Sequence, residues 1–184
     1  MLDHDTRATE GWQRCFIALA PDAATRDALA AVPVPSDARR VPHEQLHLTV
    51  TFIGALQADV AEALAAALHA RAVPLGLAAF ERIECWPGVA HPRLLVATLA
   101  MSDDFVALDW RVRSLMIELG LPVDTRAFRP HITLARFARG TRAATIPADT
   151  RLPPFARFES LVLYSSTLAR QGARYQALAS VAVG

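Results

Sequence analysis

The chain contains no lysine and no asparagine, so all 19 of its basic residues are arginine. Codons for both missing residues are AT-rich, and a GC-rich genome accounts for both absences. The consequence is local: every cation is a planar guanidinium, able to grip a phosphate through two parallel hydrogen bonds, which an ammonium cannot do. Net charge is only +1, which excludes a polycation that wraps long nucleic acid. The only two cysteines, Cys15 and Cys85, are too few for a disulfide framework. They read as reduced thiols on strands, with no redox or nucleophilic role. No apolar run approaches the ~20 residues that span a bilayer, so no membrane partner is expected. The first ten residues carry Asp3, His4, Asp5 and Glu10 and no apolar core, so no signal peptide is expected and a cytoplasmic location is.

What is present is globular. The chain has 184 residues, 53% hydrophobic and 20% charged, enough to bury a sizeable core. Residues 1–10 read as a polar tail and 11–184 as one domain.

Two short segments nearly repeat each other. His47-Leu48-Thr49-Val50 and His131-Ile132-Thr133-Leu134 both read His-apolar-Thr-apolar. Side chains alternate faces along a strand, so each segment presents an imidazole and a hydroxyl on one face and two apolar groups on the other. Two such strands side by side would bring two histidines and two threonines together, a site for acid–base chemistry on an anion.

The surroundings repeat as well. Arg14–Leu19 reads as a buried strand, followed by a helix from Asp22 to about Ala31 with Asp22 as its cap. A loop with Pro33, Pro35 and Pro42 leads to the first His strand, which is expected to end at Gly54. A helix over 57–70, a strand over 75–85 and a turn at Trp86-Pro87-Gly88 follow. Leu94–Leu99 opens the second half. Ser102-Asp103-Asp104 then caps a helix with Phe105, Leu108, Val112, Leu115 and Leu119 on one stripe and Gly120 at its end. A loop with Pro122 and Pro130 leads to the second His strand, closed by Gly140. The intervals match approximately: 31 residues from Phe16 to His47 and 36 from Leu95 to His131. Two further strands, over 155–163 and 174–183, flank a turn at Arg170–Ala173. The expected fold is α+β: two lobes related by a pseudo-two-fold, with duplicated antiparallel sheets, outer helices and a central cleft.

A competing motif overlaps the first strand. His43-Glu44-Gln45-Leu46-His47 is a literal H-E-x-x-H, which on a helix would place two histidines for zinc with a glutamate base. Pro42 before it and the alternating Leu-Thr-Val-Thr-Phe after His47 argue for a strand, and no clear third ligand follows, although Glu62 is imaginable. A zinc metalloprotease is therefore the minor alternative. Among the remaining aromatic and imidazole groups, Trp86 and Trp110 are expected in the core, and His4, His69 and His91 on the surface. Strand propensity alone accounts for Thr51.

The paired motifs, with Phe128-Arg129-Pro130-His131-Ile132-Thr133-Leu134-Ala135-Arg136 around the second, resemble the 2H phosphoesterase superfamily. Within it the chain is similar to the RNA 2′,3′-cyclic phosphodiesterases, also called 2′–5′ RNA ligases. The resemblance spans nearly the whole chain, including Arg14–Leu19, the stretch Leu46–Gly54, and Leu163-Tyr164-Ser165-Ser166 with Tyr175. Val50 stands where leucine is usual, and Val41 where relatives often carry a larger aromatic.

The resemblance implies hydrolysis of a terminal 2′,3′-cyclic phosphate on RNA to a 2′-phosphate, with reversible 2′–5′ ligation as a companion reaction. It also implies His47 as proton donor and His131 as proton acceptor; the symmetric motifs alone do not assign those roles. Imidazoles, with pKa near ~6.5, can serve as both acid and base near neutrality. Thr49 and Thr133 would hydrogen-bond the non-bridging oxygens and Arg136 would neutralise developing charge. Arg136 poses a difficulty, because at the fifth position after His131 strict alternation puts it on the wrong face. It reaches a phosphate only if the strand ends, twists or bulges first, and the nearby Arg139 and Gly140 favour an ending. No cofactor is called for, and a monomer is expected. An RNA-end-binding module without turnover is the alternative from another class.

Overall fold

The computed structural model describes residues 11–169 and 172–184. The expected polar tail over 1–10, with His4, lies outside them, as do Arg170 and Gln171 of the expected turn. In chain order the elements are β1 (Gly11–Pro21), α1 (Ala23–Ala31), β2 (Ala38–Arg40), a single 3-10 turn (His43–Gln45), β3 (Leu48–Gln57), α2 (Ala58–Arg71), β4 (Ala78–Trp86), β5 (Leu94–Leu99), α3 (Asp103–Glu118), β6 (His131–Phe137), β7 (Phe155–Ala156), β8 (Phe158–Ala169) and β9 (Gly172–Ala182).

The helices begin where the sequence provides acceptors for their unpaired first-turn N–H groups. Asp22 Oδ1 accepts from the Thr25 amide at 2.8 Å, and Ser102 Oγ accepts from the Phe105 amide at 3.3 Å. Gly120, with φ +65°, follows α3 in the left-handed region that suits glycine. The apolar stripe of α3 buries Phe105, Leu108, Val112 and Leu115 as expected, joined by Met116. Along α2 the buried positions are Ala61, Leu64 and Leu68. Among the described residues no helix is long and apolar enough to cross a membrane.

All strand pairs are antiparallel, and the order across the sheet is β7-β4-β5-β6-β3-β1-β8-β9, with β2 paired to β6. This is an α+β fold built twice. One half is β9-β8-β1-β3 and the other β6-β5-β4-β7, each with its His-motif strand innermost. The two His-motif strands pair at Leu48 opposite Ile132, and β2 lies along the rest of β6. Leu48, Leu134 and Ile132 are almost wholly buried, with Leu19, Leu29, Leu64, Leu95 and Leu163 in the same core. Each such side chain contributes on the order of 1.5–3 kcal/mol by leaving water. The apolar positions of both motifs are thereby committed to the core, and the His and Thr positions are left on the other face.

Strand boundaries and one burial differ from the sequence reading. β3 does not stop at Gly54 but continues to Gln57. Gly54, at φ +97°, bends the strand opposite Cys15, and pairing resumes at Trp12 with Leu56. β4 begins at Ala78 rather than Leu75, whose amide instead donates to the Val183 carbonyl at 2.7 Å. Trp110 is not in the core; it is 68% exposed on α3. Cys15 and Cys85 are buried free thiols on β1 and β4, and burial raises the pKa of each, which suppresses thiolate chemistry.

Candidate active site

The two histidines are held by the same device. His47, immediately before β3, has Nδ1 2.6 Å from the carbonyl oxygen of Gln45. His131, the first residue of β6, has Nδ1 2.7 Å from the carbonyl oxygen of Arg129. A carbonyl only accepts, so each Nδ1 carries the hydrogen and donates it. Each Nε2 is left to take or give a proton. In both cases the acceptor lies two residues earlier in the chain, so the pseudo-two-fold extends to the atoms that set the tautomers.

Each imidazole also rests on aromatics from its own half. The His47 ring lies 5.2 Å from Phe16 and 5.4 Å, edge-on, from Tyr175. The His131 ring lies 4.4 Å from Trp86. Trp86 is thus not the core residue expected from sequence. Its indole N–H donates to Glu84 at 2.6 Å, and the Arg129 guanidinium lies 4.2 Å over its ring, so it stands between His131 and a cation. The Trp86 N–H and then Arg82, whose Nε is 2.5 Å away, hold the Glu84 carboxyl below its ordinary pKa. The aromatic neighbours of both histidines, and Glu84 behind Trp86, were missed from sequence. Only their shared strand-face parity with the His strands, visible once register is known, marks them.

Both imidazoles resist protonation. Burial is the main cause for His47, with repulsion from Arg136 and His131 adding to it, against the opposing hydrogen bond to Gln45; the result is a pKa of about 4. His131 is lowered too, by burial first and by the Arg129 charge, against its own carbonyl bond. The charges of Arg136 and His131 thus both act on the His47 ring.

The difficulty over Arg136 is resolved by a bulge, not by the strand ending. Val96 pairs with Thr133 but Leu95 pairs with Ala135, so Leu134 is an extra residue in β6. Leu134 and Ala135 are both buried in succession, and alternation then resumes one step out of phase. Arg136 therefore joins the face of His131 and Thr133. It is exposed, with no carboxylate partner among the described residues. β3 bulges at the corresponding place: Ala18 pairs with Thr49 and Ile17 with Thr51, leaving Val50 as the extra residue. Thr49 and Thr133 are half-buried on the same open face, and Thr51 turns away opposite Ile17. Arg39 of β2, not singled out from sequence, stands opposite Arg136 in register.

The H-E-x-x-H reading fails on geometry. The segment makes a single 3-10 turn over His43–Gln45 and is extended from Leu46, so His43 and His47 do not share a helix face. His43 Nε2 instead lies 2.8 Å from Asp27 Oδ1. His69 and His91 are exposed, as expected.

Two His-x-Thr strands meeting at the centre of a doubled antiparallel sheet define a 2H phosphoesterase. The family model described as the 2′-5′ RNA ligase superfamily matches residues 21–167, and the chain belongs to that family. It is 29% identical over 170 residues to an RNA 2′,3′-cyclic phosphodiesterase of Aeropyrum pernix, covering 85% of this chain and 91% of that protein. Its fold is similar to E. coli LigT solved with 3′-AMP, at TM-score 0.72 and 27% identity, over 94% of this chain and 98% of that one. It is also similar to TT0787 of Thermus thermophilus, at TM-score 0.69 and 28% identity, over 92% and 97% of the two chains.

Proposed function

We propose that the protein hydrolyses the terminal 2′,3′-cyclic phosphate of RNA to a 2′-phosphate, with His47 as proton donor and His131 as proton acceptor. The observation that carries the reading is the pair of imidazoles, each with Nδ1 tied to a backbone carbonyl and Nε2 left for chemistry. His131 Nε2 takes a proton from water as the water oxygen bonds to phosphorus. The bond from phosphorus to the ribose 3′-oxygen breaks, and that oxygen takes the Nε2 proton of His47. The hydroxyls of Thr49 and Thr133 have no hydrogen-bond partner within the protein among the described residues, which suits groups that serve non-bridging oxygens. Arg136 balances the charge that grows on them. RNA or a nucleotide with a cyclic phosphate end is the substrate, and the protein works as a monomer without a cofactor.

The depressed pKa of His47 fits a donor that is charged only when needed. In the free protein, burial and the Arg136 cation keep it neutral. An anionic phosphate in the same site supplies the opposite charge and raises its pKa. The pH dependence follows. Productive chemistry needs His131 neutral and His47 charged, and both pKa values lie below 6.5 in the free protein. The profile of kcat/KM, which reports the free enzyme, should therefore be bell-shaped with its optimum below pH 6.5. The kcat profile should lie at higher pH, because bound phosphate favours the imidazolium. An optimum of kcat/KM above pH 7 would contradict this assignment.

The direct test is incubation with an oligonucleotide ending in a 2′,3′-cyclic phosphate, in EDTA, with analysis of the product isomer. Hydrolysis to the 2′-phosphate, undiminished by the chelator, is expected. A 3′-phosphate would mean that the substrate sits reversed and the two histidines exchange roles. Loss in chelator with recovery on adding zinc would revive the metal reading. Tight binding of the end without turnover would make the protein an RNA-end-binding module.

A further inference from the structure

The two residues whose carbonyls set the histidine tautomers are themselves tethered, and by different chemistry. Gln45, which accepts from His47, is tied by its own side chain, whose Nε2 donates to the Ala173 carbonyl of β9 at 2.9 Å. Arg129, which accepts from His131, has its guanidinium 4.2 Å over the Trp86 ring and 3.7 Å from the Glu84 carboxylate. The tether is a neutral amide in one half and a carboxylate in the other. Three groups converge on that carboxylate. Oε2 accepts the Trp86 indole N–H at 2.6 Å, Oε1 accepts from Arg82 Nε at 2.5 Å, and Arg129 is the third. Arg82, Trp86 and Arg129 all lie outside the hydrophobic core.

Register shows what the cluster holds. Arg82, Glu84 and Trp86 occupy alternate positions of β4. Through β5 they line up with the site face of β6: Arg82 with Thr98 and His131, Glu84 with Val96 and Thr133, Trp86 with Leu94 and Arg136. Trp86 thus starts in the row of Arg136, yet its ring lies 4.4 Å from His131. The indole crosses diagonally to the imidazole, and Glu84, one row nearer, holds the N–H edge that sets its direction. The carboxyl stays ionised, kept so by the Trp86 N–H first and then by Arg82, and an ionised carboxylate only accepts. An imidazole fixed at Cβ and hydrogen-bonded at Nδ1 can still rock about those two points, and a pinned indole against its ring stops that motion. We infer that Glu84 is a positioning residue for His131, holding Trp86 against the imidazole so that Nε2 is aimed at the attacking water. This rests on the acceptor role proposed above. The charged groups around the ring are Arg129 two residues before it, Glu84 and Arg82 on β4, Arg136 further along β6, and His47 of the other half.

The experiment titrates the His131 and His47 rings by NMR and measures steady-state kinetics on a cyclic-phosphate end. It uses the wild type, Glu84→Ala, Glu84→Gln, Trp86→Phe and the double variant Glu84→Ala with Trp86→Phe. In Glu84→Ala the freed indole lets water reach the ring and releases Arg129, and both changes raise the His131 pKa toward 6.5. The His47 titration should not move. In Glu84→Gln the amide oxygen still accepts from the indole, so His131 should stay near its wild-type value. Loss of the carboxylate charge alone would lower the His131 pKa, and would do so in both variants. Glu84→Ala should lose about tenfold or more in kcat with little change in KM, because the groups that hold phosphate are untouched. Glu84→Gln should recover most of that loss. Trp86→Phe, which keeps a ring without the N–H, should behave like Glu84→Ala, and the double variant should lose little more than the worse single one. Equal behaviour of Glu84→Ala and Glu84→Gln in the titration, or additive losses in the double variant, overturns the inference. If no protein hydrolyses the end, yet the His131 titration moves in Glu84→Ala and not in Glu84→Gln, the hydrolytic reading fails and the positioning role stands. If Glu84→Ala does not fold, a shifted His131 titration in Trp86→Phe beside an unshifted one in Glu84→Gln upholds the role, and the reverse overturns it.

Discussion

His47→Ala and His131→Ala are each expected to lower kcat/KM on a cyclic-phosphate end by about 10²- to 10⁴-fold, the range that removal of a general acid or base produces. The double variant should lose little more than the worse single one. In the proposed reaction the two proton transfers belong to one displacement, and a displacement deprived of either is already lost. Both proteins should fold, because each ring lies on the open face and the core contacts of its strand come from Leu48 or Ile132 and their neighbours. The control is His43→Ala, which shares the H-E-x-x-H spacing but faces Asp27 at the surface. An exposed contact of this kind contributes at most about 1 kcal/mol, so His43→Ala should retain near wild-type activity and melting temperature. An inactive His43 variant beside an active His131 variant would refute the assignment.

Arg136→Ala should have the next largest effect, a loss of about 10²- to 10³-fold in kcat, as when a group stabilising transition-state charge is removed. Arg136→Lys should recover only part of it, since an ammonium cannot reproduce the two parallel hydrogen bonds of a guanidinium to phosphate. Neither change should move the melting temperature appreciably, because the residue is exposed and has no carboxylate partner among the described residues. Steady-state kinetics with thermal melts on the same preparations separates the two effects. If Arg136→Ala keeps wild-type kcat/KM, Arg136 is a solvated charge at the strand end. The phosphate is then held by Thr49, Thr133 and the imidazoles alone. The bulge at Leu134 makes the larger effect the expected one, since without it the guanidinium would lie on the far side of the sheet.

The elements that read most clearly in the sequence were those whose signals are local. Asp22 and Ser102 capped their helices, Gly120 followed the third, and the stripe Phe105–Leu108–Val112–Leu115 faced the core. Such signals need only the few residues on either side. Gly54 misled because a glycine at positive φ can end a strand or bend it, and only the partner strand, which resumes pairing beyond Cys15, decides which. Trp110 misled because its apolar surface argues for burial, whereas its position on α3 turns it to solvent.

The sequence by itself determined the doubling, the two His-x-Thr repeats and the apolar positions between them, because strand alternation assigns His and Thr to one face and the core to the other. Only the tertiary structure decided that β3 and β6 abut, and so that the two weak repeats lie side by side. It also decided which way Arg136 points. A bulge is an extra residue relative to a partner strand, and a single strand read alone has no partner against which to count. The aromatic beds of the histidines and the low pKa of His47 were likewise decided there. Phe16, Trp86, Tyr164 and Tyr175 come from distant parts of the chain, and desolvation and repulsion exist only once folding brings those groups around the imidazoles.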